Sequence, residues 1–424
     1  MRSIRRIVIA VACLAAPGYG LTAQDVFPLA DDPVLAALVE EAVASNPDLR
    51  AARERVEAVR ARVPQAGALP DLRLTVGYDY GGESWSPGLD TGPTLGVVQE
   101  LPGPGKRGLA ETVAEKEAAR AGHSAMRAQA VLVYQVRKAW ADLLLARENL
   151  LLIEDQRRAL ADIEELTRSR YAVGLADQAD VLRAQAELAR LERMRLHEQG
   201  QVGIAEAQLN GVLARPEGTP LPEGPGLRAL AGRTLRVPSL DEVVSRAHAM
   251  SPEVLAGGTM VERAEAALQL AHKGTRPDFM VASRYEHRGP MPDMWKFDVG
   301  LVLPIYAGRK QKQAIVEAEA QLRADRALAE AMRLRARTAV EAALADFRAS
   351  VQEAEVYEKS VLVVGALAVE SALASFGAGK TPFISVLEAH RALYEDRFEH
   401  AQLLFHVLWH SAALDAYGMT GMGE

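Results

Sequence analysis

Apolar residues recur at alternating spacings of four and three along two parts of the chain. Leu132, Val136, Ala139, Leu143, Ala146, Leu150 and Ile153 form one such series, and Val340, Leu344, Phe347, Val351 and Ala354 form another. This is the spacing of a helix with one apolar edge, as in coiled coils. Proline is absent between Gly105 and Arg215 and between Ile305 and Thr381, so each tract can run as uninterrupted helix. The roughly 66 residues from Lys106 to Tyr171 would make a rod of about 100 Å, too long for a compact domain.

Elsewhere the period falls to two. Leu72, Leu74, Val76, Tyr78 and Tyr80 alternate with Arg73, Thr75, Gly77 and Asp79, which predicts a strand. Thr94 to Leu101 supplies its partner across a Gly/Ser/Pro loop containing Trp85. A second pair places Phe279, Val281 and Tyr285 on one face of its first strand. Trp295, Phe297, Val299, Leu301 and Leu303 share a face of the other. A shorter helix precedes each pair, starting at Asn46-Pro47 and Ser251-Pro252, where an N-cap residue stands before a proline suited to the first turn. These helices are expected to end near Val63 and Lys273.

The same order of patterns therefore occurs twice. Pro47, Asp71, Gly174 and Leu182 find counterparts in Pro252, Asp278, Gly379 and Leu387, each about 205 positions later. The chain reads as a tandem duplication: 24–213 and 239–424, joined by a Pro- and Gly-rich crossing segment over 214–238. Each copy contains a helix, a strand hairpin and a long helical hairpin. The turns of those hairpins are YAVGLADQADVLRA at Tyr171 and FGAGKTPFISVLEA at Phe376. Gly174 and Gly379 supply the left-handed residue that ends a helix, and return helices are expected from Asp177 to about Leu213 and from Pro382 to about Tyr417.

Composition narrows the location. Arg2, Arg5 and Arg6 precede an apolar run from Ile7 to Ala16, and Leu21-Thr22-Ala23 offers small residues before Gln24. Residues 1–23 thus read as a secretory signal peptide. The only cysteine, Cys13, lies within its apolar run and reads as part of it rather than as a lipid attachment site. A mature chain without thiols has no disulfide or cysteine metal site. The net charge of −7 gives no electrostatic case for nucleic acid. No later segment approaches about 18 consecutive apolar residues, so a membrane would be crossed by strands. Four strands cannot close a membrane barrel, since known barrels start at about eight, but three chains would supply twelve.

The duplicated units, with VGLADQADVLRAQAEL and GKTPFISVLEAHRALYEDR at the corners, resemble the TolC family of outer membrane efflux proteins over essentially the whole mature chain. ELPGPGKRG after the first hairpin is similar to the heavy-metal (CzcC/CusC-like) branch. The resemblance implies a mostly α fold with a small β part, trimerising into a 12-stranded barrel on an α-helical tunnel. It implies a Gram-negative outer-membrane homotrimer with its helical tunnel in the periplasm. Such a duct is coupled through a periplasmic adaptor to an inner-membrane resistance-nodulation-division (RND) pump, with no enzymatic step and no cofactor. The cargo would be heavy-metal cations, with drug or protein export as the alternative and a periplasmic adaptor as a more distant one. Val173, Gly174 and Leu175 match the family's adaptor-contacting corner, and Ala378, Gly379 and Lys380 occupy the second. Ser385 and Glu388 stand where the family often carries a pair of pore-closing acids; only Glu388 is acidic, and Asp180 in the first corner is a further candidate.

The histidines give no metal site. His406 and His410, four apart on one helix with His400 before them, are read as tunnel-wall packing. Met291, Met294 and His287 are read as decoration of the second hairpin's loop. No Walker loop, dinucleotide fingerprint or GxSxG is present.

Overall fold

The computed structural model describes residues 32–79, 92–216, 218–231, 237–289 and 291–420. The signal-peptide reading, Tyr80 and the Trp85 loop lie outside them. Two short helices, α1 (Pro33–Ser45) and α2 (Pro47–Arg60), are followed by α3 (Arg62–Gly67) and strands β1 (Arg73–Asp79) and β2 (Gly92–Leu101). The rod α4 (Lys106–Ala172) and its return α5 (Gln178–Val212) come next, then α6 (Leu227–Ala231) in the crossing segment. The order then recurs: α7 (Leu240–Met250), α8 (Pro252–Lys273), β3 (Asp278–Glu286), β4 (Met294–Val302), α9 (Gln311–Val356), α10 (Leu362–Gly377) and α11 (Phe383–Thr420).

Local chemistry sets the helix starts. The Asn46 side chain accepts from the backbone N–H groups of Asp48 and Leu49, capping α2. Ser251 holds the same place before α8, but its hydroxyl makes no cap bond and is buried without a partner. Its backbone, with Pro252 behind it, is what starts that helix. The helix expected to end near Val63 stops instead at Arg60 and re-forms as α3. Helices α1 and α7 were not anticipated. Asp32 caps α1, and Ser239 with Glu242 forms a reciprocal capping box on α7.

The rod of the second half is interrupted. Between α9 and α10 the backbone makes one π-helical turn, Tyr357–Val361. The whole rod, Gln311–Gly377, contains an 18-residue window with mean hydropathy 1.8 and very little burial. By length and composition alone it could cross a membrane, although it holds no run of 18 consecutive apolar residues. Glu370 is the one charged residue between Ser360 and Ala378, and with Ser371 and Ser375 it breaks the apolar run without greatly lowering its mean hydropathy. Val363, Val364 and Leu367 are exposed along it.

The four strands form one antiparallel sheet in the order β1-β2-β3-β4. The register puts Val76 opposite Leu95, Leu95 opposite Tyr285, and Tyr285 opposite Trp295. Leu74, Val76, Leu95, Phe279, Val281, Trp295, Phe297, Val299 and Leu301 consequently share one face, and all are exposed. The other face carries Thr75, Gly77, Gly96, Glu100, Arg284, Lys296 and Asp298. Met294, expected in the loop, is instead the first residue of β4.

The main core lies where α4, α9 and α11 meet the short helices. Trp140, Leu143, Phe347 and Leu408 are fully buried there. Trp140 Nε1 donates to Asp32 Oδ2 at 3.0 Å, so the α1 cap is also the partner of a buried indole. The crossing segment packs onto this core through Leu227 and Leu230. A smaller cluster of Leu160, Ile163, Ala184, Leu191, Phe376, Phe383, Val386 and Leu387 holds the two hairpins together near their turns.

Candidate functional site

Both hairpin turns use the same backbone device. At the end of α4, Gly174 N donates to Tyr171 O at 3.0 Å and Leu175 N donates to Arg170 O at 2.8 Å. At the end of α10, Gly379 N donates to Phe376 O and Lys380 N to Ser375 O, both at 2.9 Å. Each is a Schellman closure that satisfies carbonyls the helix would leave open. It requires a left-handed residue, and Gly174 and Gly379 have φ of 73° and 71°. A side chain at either position would be strained. With the backbone satisfied internally, the turn side chains are free to face outward: Val173 is 69% and Leu175 64% exposed. Ala378 and Lys380 sit at the matching places of the second turn, also exposed.

Arg170 reaches from the first turn to the second. Its Nη1 donates to Gly377 O at 2.7 Å, Nη2 lies 3.5 Å from Leu175 O, and the guanidinium carbon stands 4.8 Å from the centre of the Phe376 ring. Farther from the turns, two polar ties join the hairpins. The Arg391 guanidinium of α11 forks onto Glu187 of α5, with Nε to Oε1 at 2.9 Å, and Arg190 adds a second contact at 2.9 Å. The hydrogen bond from Arg391, reinforced by that from Arg190, holds the Glu187 carboxyl below the ordinary range despite its burial. Asp155 of α4 accepts from Tyr394 Oη and Arg397 Nη1, each at 2.8 Å. Between these ties lies His390, 2% exposed, with neither ring nitrogen hydrogen-bonded. Burial, aided by Arg397, pushes it down to about 4.

The residues proposed from sequence divide along this geometry. Val173, Gly174, Leu175, Ala378, Gly379 and Lys380 come together as one end of the molecule, bridged by Arg170. Glu388 is exposed on α11 one turn before Arg391, and Ser385 is half-buried with its backbone N–H donating to Pro382 O. Asp180 is paired with Arg183 at 3.1 Å on its own helix. Sequence reasoning missed Arg170, the Glu187–Arg391 tie, the Asp155 cluster and His390. A signal existed: Arg170 and Gly377 are 207 positions apart, and Glu187 and Arg391 204 apart. These spacings lie close to the repeat offset, so the ties join nearly equivalent positions of the two halves.

Among the described residues no group of three or more His, Cys, Asp or Glu side chains is placed to hold a metal ion. His410 stacks on Trp409, His406 lies tilted against Phe405 and Trp409, and Trp409 Nε1 donates to Tyr134 Oη at 2.5 Å. These are contacts among aromatic rings of α11 and Tyr134.

An exposed apolar sheet face, an opposite polar face and long paired rods are the parts of a membrane duct. The sequence profile of the Outer membrane efflux protein family matches residues 38–215 and 243–417. The chain belongs to this family. It is 26% identical over 377 residues to the outer membrane protein TolC of Vibrio cholerae serotype O1, covering 85% of each chain. Its fold superposes on the CusC transmembrane channel with a TM-score of 0.81, at 16% identity over 96% of each chain. For the outer membrane protein VceC of Vibrio cholerae the TM-score is 0.76, at 19% identity over 92% of this chain and 97% of that one. The protein is therefore an outer-membrane efflux channel of Gram-negative type with a periplasmic helical tunnel, and not an enzyme. Channels of this family are homotrimers that work with an adaptor and an RND pump.

Proposed function

We propose that this chain is the outer-membrane exit duct of a tripartite efflux system, carrying heavy-metal cations received from an inner-membrane RND pump through a periplasmic adaptor. The observation that carries the duct is the open four-stranded sheet. Among the described residues β1 and β4 each have one unpaired edge, and an exposed edge is a template for another strand. Three copies pairing β1 to β4 close twelve strands, turning the apolar face to lipid and the polar face to the lumen. The same closure covers the exposed apolar length of α10 with a neighbouring copy. The chain is then two repeats, 24–213 and 239–424, and the trimer presents six corners to the periplasm.

Val173, Gly174, Leu175, Ala378, Gly379 and Lys380 receive the adaptor at those corners. Glu388, exposed and with no hydrogen-bonded partner among the described residues, is the better candidate for a ring of three carboxylates attracting cations at the tunnel end. Asp180 is already neutralised by Arg183, and Ser385 carries no charge. Metal cargo is supported by the ELPGPGKRG start of α4 and by the fold shared with CusC. A deletion strain should become sensitive to cobalt, zinc, cadmium, copper or silver; sensitivity to organic drugs alone would overturn the metal reading. Cross-linkers placed at Val173 and Ala378 should capture the adaptor, identified by mass, and capture at neither corner would refute the docking assignment.

A further inference from the structure

We infer that Arg170 is a positioning residue that locks the two corners of one protomer into a single docking face. The inference rests on the corner-docking reading above and adds what makes two separate turns act together. Helices α4 and α10 run toward the same end, so the negative ends of two helix dipoles are brought side by side. Each leaves terminal carbonyls without helical donors. Arg170 answers both at once. Its backbone carbonyl closes the first turn, while its guanidinium donates to Gly377 O in the last turn of α10 and lies over Phe376.

The platform beneath it is fixed. Phe376 is buried and meets Phe383 of α11 edge-on at 5.9 Å between ring centres. Among the described residues no carboxylate pairs with Arg170; its partners are carbonyls and a ring. A planar fork that donates and stacks simultaneously is a property of arginine that lysine lacks. The result is that Val173 and Leu175, projecting from one turn, keep a set position relative to Ala378 and Lys380 on the other. The partner that fits is an adaptor surface bearing apolar side chains toward Val173 and Leu175 and an acidic group toward Lys380.

The test uses full-length trimers in detergent and in cells. Spin labels at Val173→Cys and Ala378→Cys, in labelled protomers diluted with unlabelled ones, report the distance between the corners by double electron–electron resonance. Arg170→Ala and Arg170→Lys should both broaden that distance distribution. In cells, either variant should abolish adaptor cross-linking at Ala378, in the other hairpin, with trimer yield unchanged. If Arg170 only stabilised α4, its loss would lower the melting temperature and leave the distribution narrow and Ala378 cross-linking at the wild-type level; that result overturns the inference. If wild-type protein cross-links at neither corner, the docking reading falls, and the distance measurement alone decides whether Arg170 couples the turns.

Discussion

Acidification should loosen α11 around His390. The ring is buried against Tyr394, with centroids 4.8 Å apart, and is faced by Arg397 on its own helix, Glu187 on α5 and Asp155 on α4. In the closed protein it titrates at about 4, whereas an opened helix returns it to the ordinary value of 6.5. Because the closed-state value is the lower one, the opened state binds more protons between these limits, and stability falls as pH falls through that window. Near pH 5 the opened form carries almost a full proton and the closed form roughly a tenth of one, favouring opening by about 2 kcal/mol; near pH 7 the effect is a small fraction of that. The opening constant should thus rise about 20-fold between these conditions. Hydrogen–deuterium exchange of peptides covering 386–397, corrected for intrinsic rates, measures it in the intact trimer. His390→Phe keeps a ring in the site and removes the proton, so its protection should lose most of the pH dependence; His390→Leu provides a check against overpacking. Equal pH dependence in wild type and both variants would refute the reasoning.

Other consequences can be checked separately. Gly224 lies against Trp140, where an added Cβ would sit 2.5 Å from the indole; Gly224→Ala should cost about 1–3 kcal/mol, seen as a lower melting temperature. Ala214 has φ of 56° in a third turn of the Schellman kind, with Arg215 N donating to Asn210 O. Ala214→Gly should therefore stabilise by about 1 kcal/mol, raising the melting temperature. Val299 and Asp298 are neighbours on opposite sheet faces. Val299→Arg should cost about 2–4 kcal/mol at mid-bilayer and reduce trimer assembly in the outer membrane, while Asp298→Arg should leave assembly intact and shift ion selectivity. Equal assembly of the two variants would mean the faces are assigned wrongly.

What could be read from the sequence was whatever repeats locally. The α4 rod, the strand faces and both turns were legible because heptads, alternation and glycine act over a few residues. The short helices α1 and α7 escaped because their signals, Asp32-Pro33 and Ser239 with Glu242, sit beside the signal-peptide region and the Pro/Gly-rich crossing. The π-turn had no signal at all, since Tyr357–Val361 continues an unbroken helical composition. Periodicity says which face of a helix is buried but not against what. That is why Arg170, His390 and the Glu187–Arg391 tie stayed hidden while Val173 and Leu175 did not. The gate candidates were visible as residue types, yet only the structure separates Asp180, ion-paired with Arg183, from Glu388, which forms no hydrogen bond or ion pair among the described residues.

The π-turn between α9 and α10 works as a phase shifter. One extra residue in a turn rotates everything beyond it by about 100° relative to an uninterrupted helix. Upstream, the apolar edge through Val340, Leu344 and Phe347 points into the protomer; downstream, Val363, Val364 and Leu367 point out of it, while Gly365 lies close against Leu393. A single-residue deletion within Tyr357–Val361 would undo that rotation. It would drive the outward stripe toward α11, carry Phe376 out from beneath Arg170, and turn the second corner away from the first without altering one residue of either.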